Sequence, residues 1–553
     1  MIQIDYNKLK KDIKDILYEY VGINSKTSSK NELMAESFLI DYFDSLKYFK
    51  ENPGNYGSYK IKDDPYSRGV PWALLKGEGK DTIVMIHHYD VVDVEDFGNL
   101  KDLAFSPEKL EEELKNGKVK ISEEAQKDLD SEKYIFGRGA TDMKGGGSIQ
   151  LALLKQYSEM ENFKGNIIVM GVPDEENLSA GMRSAAYLLK ELKEKHDLNY
   201  VVTLNSEPHQ RKDDDVGVIS LGSVGKIMAF VYVRGWLSHA GKTFEGLNPL
   251  GILSEITSRT ETNIEFSDFV MGEASPPPTW LYSKDDKENY DVSMPLSAKG
   301  SFSILTLDSE IDEVVDKILK VSKEAFDSVI EKNNEYYKKY LENINRKFTA
   351  LPWKTKVVTV SQLILEAKND YGEKFEKAYI IKLEDIKEKV QKGNINMIEG
   401  SFELVDEIFN YISDPAPTIV VGLTPPFYPS VSNIKFEKNN QIVRNIARDI
   451  CDFTKEDFNQ KYTKEYFFTG LSDLSYVSYE NSEVGQEILS KEMPLYGDMY
   501  SIPLREIEEN SMPCLNVGPW GKDFHKLTER VLKEDLYERT PKILNITVSK
   551  FLE

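Results

Sequence analysis

Apolar residues recur at helical spacing between Tyr6 and Tyr48, interrupted by the polar stretch GINSKTSS at 22–29. That pattern predicts two helices, with N-cap candidates just ahead of Asn31. The runs WALLK (72–76) and TIVMIHH (82–88) are short and continuously apolar, as buried strands are. The pattern returns to helix over 148–157, to strand in NIIVMGV (166–172), to helix from Ala180 to Lys193, and to strand in YVVTLN (200–205). Strands alternating with helices predict an α/β sheet with parallel segments. Residues 94–133 are acidic, lysine-rich and without a period, and predict an irregular surface excursion.

The pattern changes after residue 218. KIMAFVYVRG (226–235) and SFSILTL (301–307) predict strands, a helix should start at Asn248-Pro249, and a long charged helix should run from Glu310 to Asn345. These elements predict a compact α+β unit inserted into the first domain. Residues 357–412 read as charged helices, whose Lys/Glu runs are solvated faces. TIVVGL (418–423) and PPFYP (425–429) read as the return to the first sheet. The expected boundaries are 1–218 for the first part of the main domain, 219–345 for the inserted unit, and 346–553 for the second part, with a helical insertion over about 346–415. A length of 553 residues exceeds one hydrophobic core.

Composition narrows the partners. Ninety-three acidic against seventy basic residues give a net charge of −23, which repels nucleic acid and anionic membranes. The two cysteines, Cys451 and Cys514, form no CxxC pair, so neither a disulfide framework nor a cysteine metal site is expected. The N-terminus lacks an apolar signal core, and no apolar run approaches the roughly 18 residues of a membrane span. A cytoplasmic location is the expectation.

Histidine is scarce, six in the whole chain, so its positions inform. His88 ends a predicted strand, where functional residues of α/β sheets collect. Asp90 is spaced to accept the other ring N–H of a metal-bound imidazole. GRGATDMKGGG (137–147) places Asp142 between flexible segments and matches no phosphate-loop pattern. PDEEN (173–177) crowds Asp174, Glu175 and Glu176 after a strand, a costly arrangement unless cations neutralise it or a pKa rises. Glu207 follows another strand in NSEP, and GPWGKDFH ends on His525. Each element alone has a plain structural reading. Together, two imidazoles and three carboxylates are a ligand set for a pair of borderline divalent metals. Two such ions about 3.5–4 Å apart activate water and polarise a carbonyl, and a further glutamate beside a ligand can take the proton.

HHYDVVD, GRGATDMKGG, PDEEN, NSEP and the late GxxxxFH, in this order over residues 88 to 525, resemble the motif set of M20-type metallopeptidases and amidohydrolases. The resemblance implies a zinc-peptidase-like mixed sheet with flanking helices, interrupted by a smaller α+β lid domain that often mediates dimerisation. It implies that Asp142 bridges two ions, that His88 and Glu207 complete one and Glu176 and His525 the other, that Asp90 orients His88, and that Glu175 is the general base. Zinc suits these ligands, with cobalt or manganese as replacements. RGWLSHAG (234–241) is similar to the family's lid motif, which makes His239 an oxyanion donor. GLSD (470–473) is similar to a substrate-side loop and brings in Asp473.

The chain departs from the family where relatives carry an arginine, since FSILTL is followed by Asp308-Ser-Glu. Arg138, Arg234 and Arg505 are the candidate substitutes for a substrate carboxylate clamp. The length, PPFYP, and FSILTLDS followed by a long helix look like the arginine-utilisation, RocB-like branch. The implied activity is hydrolysis of an amide bond in a small peptide or N-acyl amino acid by a homodimer. Glu rather than Asp at 207 leans toward acyl or C-terminal substrates. The competing expectations are a non-catalytic metal-binding or regulatory protein on the same fold, and an interaction scaffold built on the helices of 310–412.

Overall fold

The structure, a computed structural model, describes residues 2–209, 216–497 and 499–553. The chain forms two compact units, Met1–Ser223 with Val431–Glu480 and Arg505–Glu553, and Val224–Ser430 with Asn481–Leu504. Among the described residues no helix is long and apolar enough to cross a membrane.

The first unit is built on an eight-stranded mixed sheet in the order Tyr56–Lys60, Gly69–Lys76, Lys164–Val172, Glu78–His88, Asn199–Asn205, Cys514–Asn516, Val216–Ser220, Lys461–Glu465. Lys164–Val172, Glu78–His88 and Asn199–Asn205 run parallel, with His88 opposite Val172 and Ile86 opposite Asn205. That register makes 89–90, 173–176 and 206–207 leave the sheet side by side. Residues 82–88 are buried throughout, as parallel strands covered by helices are. The covering helices show why they form. Tyr6–Val21 is capped by the Asp5 carboxylate, which accepts from the Asn7 and Lys8 N–H groups, and it buries Leu9, Ile13, Ile16, Leu17 and Tyr20.

Residues 94–133 are more ordered than their composition predicts. They fold into a 3-10 turn, Glu95–Leu103, and two helices, Pro107–Lys115 and Glu123–Asp130. Phe97, Leu100, Leu110, Leu114 and Leu129 pack with Tyr134, Phe136, Trp520 and Leu532 in a core of their own.

The second unit carries a five-stranded sheet in the order Thr279–Asp285, Ser297–Thr306, Gly225–Arg234, Thr418–Leu423, Val357–Thr359. This corrects the expected boundaries at 345 and 415. Thr418–Leu423 does not return to the first sheet; it pairs antiparallel with Gly225–Arg234, Thr418 opposite Arg234. The helices Val360–Tyr371 and Met397–Phe409 then bury Leu363, Phe402, Val405 and Ile408 against Phe230 and Val420 of that sheet. A strand that is buried on every residue carries no sign of which sheet it joins, so pairing alone sets the boundary. Phe402→Ala should therefore cost about 3–5 kcal/mol and raise hydrogen exchange in Gly225–Arg234 and Thr418–Leu423, while leaving Glu78–His88 unchanged. The opposite exchange pattern would place this helix in the first unit.

Candidate metal centre

The strand Glu78–His88 ends in two histidines that face different surroundings. His87 is fully buried, its Nδ1 lies 3.0 Å from Gln150 Oε1, and burial holds its pKa down at about 4, so it is neutral. Its ring lies against the glycines that open the helix Lys144–Ser158. A Cβ on Gly147 would come within 2.6 Å of that ring, and one on Gly146 within 2.1 Å of the Ser206 carbonyl oxygen. Gly146 and Gly147 thus let a helix pack directly on two strand ends.

His88 donates from Nδ1 to the Asp90 carbonyl oxygen at 3.0 Å, which leaves Nε2 as the free ring atom. Nε2 points at Asp142 Oδ1, 3.0 Å away, with Glu207 Oε1 at 3.9 Å. On the other side of Asp142, His525 Nε2 lies 3.3 Å from Oδ2 and 3.1 Å from Glu176 Oε1. Candidate ligand atoms of His88, Asp142 and Glu207 lie within 4.8 Å of one another, as do those of Asp142, Glu176 and His525. Asp142 is the one residue common to both triads, and it offers one oxygen to each. A third group, His88, Glu175 and Glu176, meets the same spacing.

The electrostatics of these groups show what the arrangement lacks. Burial pushes the Glu175 carboxyl well above its usual range; His88 opposes this, and Glu207, Glu176 and Asp473 add to it. Burial also drives Glu207 upward, against His88 and with Asp142 and Asp473. Hydrogen bonds to Asp142 and Glu176 raise His525 to about 10. For His88, burial alone would depress the pKa, but the hydrogen bond to Asp142 and the charges of Glu207 and Glu175 win and hold it well above normal. The cluster takes up protons because it is short of positive charge. Divalent cations would supply that charge, and the nitrogen and oxygen donors suit zinc-like ions. The residues therefore fit divalent metal.

Asp90 differs from its expected role. Its carboxylate Oδ1 is 3.8 Å from His88 Nδ1, and its carbonyl orients the imidazole instead. The carboxylate accepts the backbone N–H groups of Glu175 at 3.1 Å and Glu176 at 3.2 Å. Asp90 thus fixes the turn that carries the candidate base and a candidate ligand.

Other supports have no period or motif to announce them. Arg68, 3% exposed, bonds Glu32 at 2.8 Å, Asp174 at 2.9 Å and Asp64, all three buried. Asp174, at φ +69°, is thereby held at the start of the 174–176 turn. Arg68→Met should leave three acids without their cation and cost about 3–5 kcal/mol. A urea midpoint equal to that of the unmodified protein would remove this assignment. Glu529 is also buried; it pairs with Arg138 at 2.6 Å and accepts the backbone N–H groups of Thr141 and Asp142 at 3.3 and 3.4 Å.

The arginine candidates fare differently from one another. Arg138 is 1% exposed and committed to Glu529 and Asp96, so it is closed to substrate. Arg505 is exposed and paired with Glu509 one helical turn away. In the second unit, Arg234 stacks on the Phe409 ring, 4.8 Å from its centroid, beside a cavity of about 320 Å³ that Lys382 and Asp406 also line. His239, in the same unit, is exposed, and its Nδ1 accepts the Gly241 N–H at 3.0 Å. Asp473 is 2% exposed in the first unit, and burial raises its carboxyl to about 7.

A mixed sheet whose parallel strands end beside His88, Glu176 and Glu207, with Asp142 and His525 brought to the same place, is the arrangement of a metal-dependent hydrolase. The model of peptidase family M20/M25/M40 matches residues 87–541, and the chain belongs to that family. Over 553 residues it is 32% identical to the uncharacterised protein YqjN of Bacillus subtilis, covering 98% of this chain and 97% of the relative. It is 29% identical to protein RocB of the same organism over 540 residues, 96% of this chain and 94% of RocB. Within the family it thus falls in the RocB-like branch. The fold matches that of aminopeptidase PepT from Bacillus cereus with a TM-score of 0.51 at 13% identity, over 98% of this chain and 99% of PepT.

Proposed function

We propose that the protein hydrolyses an amide bond in a small peptide or N-acyl amino acid. His88, Asp142 and Glu207 hold one divalent ion, and Asp142, Glu176 and His525 hold the other. The observation that carries this reading is the pair of triads sharing Asp142, with Glu175 beside them as a carboxylate that neither pair requires. When bound, the ions supply Lewis-acid polarisation and lower the pKa of water.

The chain's own residues do the rest. Glu175 takes a proton from the attacking water as its oxygen bonds to the carbonyl carbon. It then returns that proton to the leaving nitrogen as the C–N bond breaks, so water and amide become acid and amine. Asp90 keeps Glu175 and Glu176 in register through their backbone N–H groups. Because Gly241 N–H is donated to His239 Nδ1, the ring proton of the neutral histidine resides on Nε2. That atom is suited to donate to a carbonyl oxygen gathering negative charge. The second unit serves as the lid and joins two copies of the chain. Thr279–Asp285, an edge strand of its sheet with one neighbour, is open to such pairing. Arg234 and Asp473 are the substrate-side candidates.

A non-catalytic metal-binding protein would have lost a ligand or the base, whereas all six side chains are present. Metal-free protein reloaded with zinc, cobalt or manganese should hydrolyse members of a panel of dipeptides and N-acyl amino acids, including arginine and ornithine derivatives, read by mass spectrometry. Bound metal with no product across the panel would favour the non-catalytic reading.

A further inference from the structure

His525 is the most exposed of the five candidate ligands, its side chain 48% accessible, and it sits in the left-handed region at φ +61°. It lies in the loop 523–529 between two short antiparallel strands, Gly521–Lys522 and Arg530–Leu532. Lys522 stands directly opposite Arg530 in this pairing. Two cations facing each other across a ladder repel. Two carboxylates of the helix Glu123–Asp130 resolve the conflict: half-buried Asp128 Oδ2 accepts from both Lys522 Nζ at 3.1 Å and Arg530 Nε at 2.8 Å, and the more exposed Glu124 accepts from Lys522 Nζ at 2.8 Å.

Arg530, 1% exposed, then reaches into the loop. Its guanidinium bonds the Asp523 carboxylate and the Thr528 carbonyl oxygen, the latter at 3.0 Å. Asp523 Oδ2 also accepts the Thr528 hydroxyl at 2.8 Å, and the Asp523 carbonyl accepts the Lys526 N–H at 3.1 Å. The loop is closed on itself around Asp523, itself at φ +54°, two residues before His525.

We propose that Asp128, acting through Lys522 and Arg530, is a positioning residue for His525, so that the 94–133 segment sets the occupancy of the second metal site. The inference rests on the two-ion reading above. Nothing in the chemistry of the reaction needs Asp128, which touches neither triad. The segment whose composition predicts a surface excursion is thus part of the site's scaffold. Groups bonded directly to a metal ligand contribute roughly 10- to 100-fold to metal affinity; Asp128 acts one step further out, so the lower end of that range is the expected effect.

The test is metal stoichiometry and affinity, measured on the full chain by equilibrium dialysis against zinc and by the visible spectrum of the cobalt form. Unmodified protein should bind two ions and His525→Ala one. Asp128→Asn should keep the first ion at its original affinity and bind the second about 10-fold more weakly, with the far-UV circular dichroism unchanged. Adding Lys522→Met to Asp128→Asn removes one of the facing cations and should recover part of the lost affinity; this double variant also serves if the single one folds poorly. Unchanged affinity for both ions in Asp128→Asn, or equal weakening of both, overturns the proposal. Two ions in His525→Ala would instead remove His525 from the ligand set, and a single ion in the unmodified protein would overturn the two-ion reading beneath the proposal.

Discussion

Glu175→Gln should lower kcat by about 10²- to 10⁴-fold while the protein keeps both ions and nearly its original KM. The side chain keeps its shape, and the backbone N–H of residue 175 still bonds to Asp90, so the turn survives. What is lost is an oxygen able to take a proton and give it back. Burial, with Glu207, Glu176 and Asp473 nearby, makes this carboxyl a good proton acceptor. The variant also separates two roles that the geometry allows. Glu175 forms a compact group with His88 and Glu176, so it could ligate rather than act as a base. A ligating Glu175 would cost the variant an ion; a basic one would not. Turnover is followed with whichever panel substrate the native protein cleaves, and metal by mass spectrometry. Normal turnover in this variant would end the assignment of the base.

The strands that carry the site are legible in the sequence because parallel strands buried on both faces are written as unbroken apolar runs, and TIVMIHH and NIIVMGV are such runs. The carboxyl ends of such runs point to His88, Glu176 and Glu207 from sequence alone. Asp142 and His525 follow no strand of that sheet, and motif order rather than period singles them out. For Asp90 the spacing predicts the right neighbour and the wrong atom. It puts Asp90 beside His88, but which of its oxygens meets the imidazole depends on how sharply the chain turns after the strand.

What the sequence hides is of two kinds. Pairing across long separations leaves no local trace, so the apolar run of Thr418–Leu423 points to the wrong sheet and makes the inserted unit look too short. Buried charge is also unreadable locally. Arg68 and Arg530 look like ordinary surface arginines in sequence and Arg138 like a candidate for the substrate clamp, yet each is at most 3% exposed and holds a turn bearing a candidate site residue. The apolar residues of 94–133 are too sparse for a clear period, and they form a core only with Trp520 and Leu532 from the far end of the chain.

Metal should stabilise the protein more at pH 8 than at pH 6. Without ions, Glu175 and Glu207 keep their protons in the folded chain at pH values where the unfolded chain, near 4.3, has lost them. Folded protein then binds more protons than unfolded, so stability falls as pH rises above about 4.3. His525 acts in the same direction. Its charged form, with a pKa near 10, stabilises the metal-free fold fully below about 6.5, and that contribution is lost as pH rises through 10. Asp142 is depressed, so its contribution is complete above about pH 3.9 and adds no slope near neutrality. Lys144, which burial lowers to about 7, has the opposite slope above that pH, but it is common to both forms and largely cancels in the difference. Ion binding must displace the protons of His88 and His525 and of the carboxyls, so its affinity rises with pH and protons are released. At a thousandfold excess over Kd each ion contributes about 4 kcal/mol, which moves Tm by several degrees. The measurement is the Tm increment on adding manganese or cobalt to metal-free protein at each pH. Equal increments at pH 6 and pH 8 would mean that the ions displace no protons there, and that imidazoles and protonated carboxyls are not their ligands.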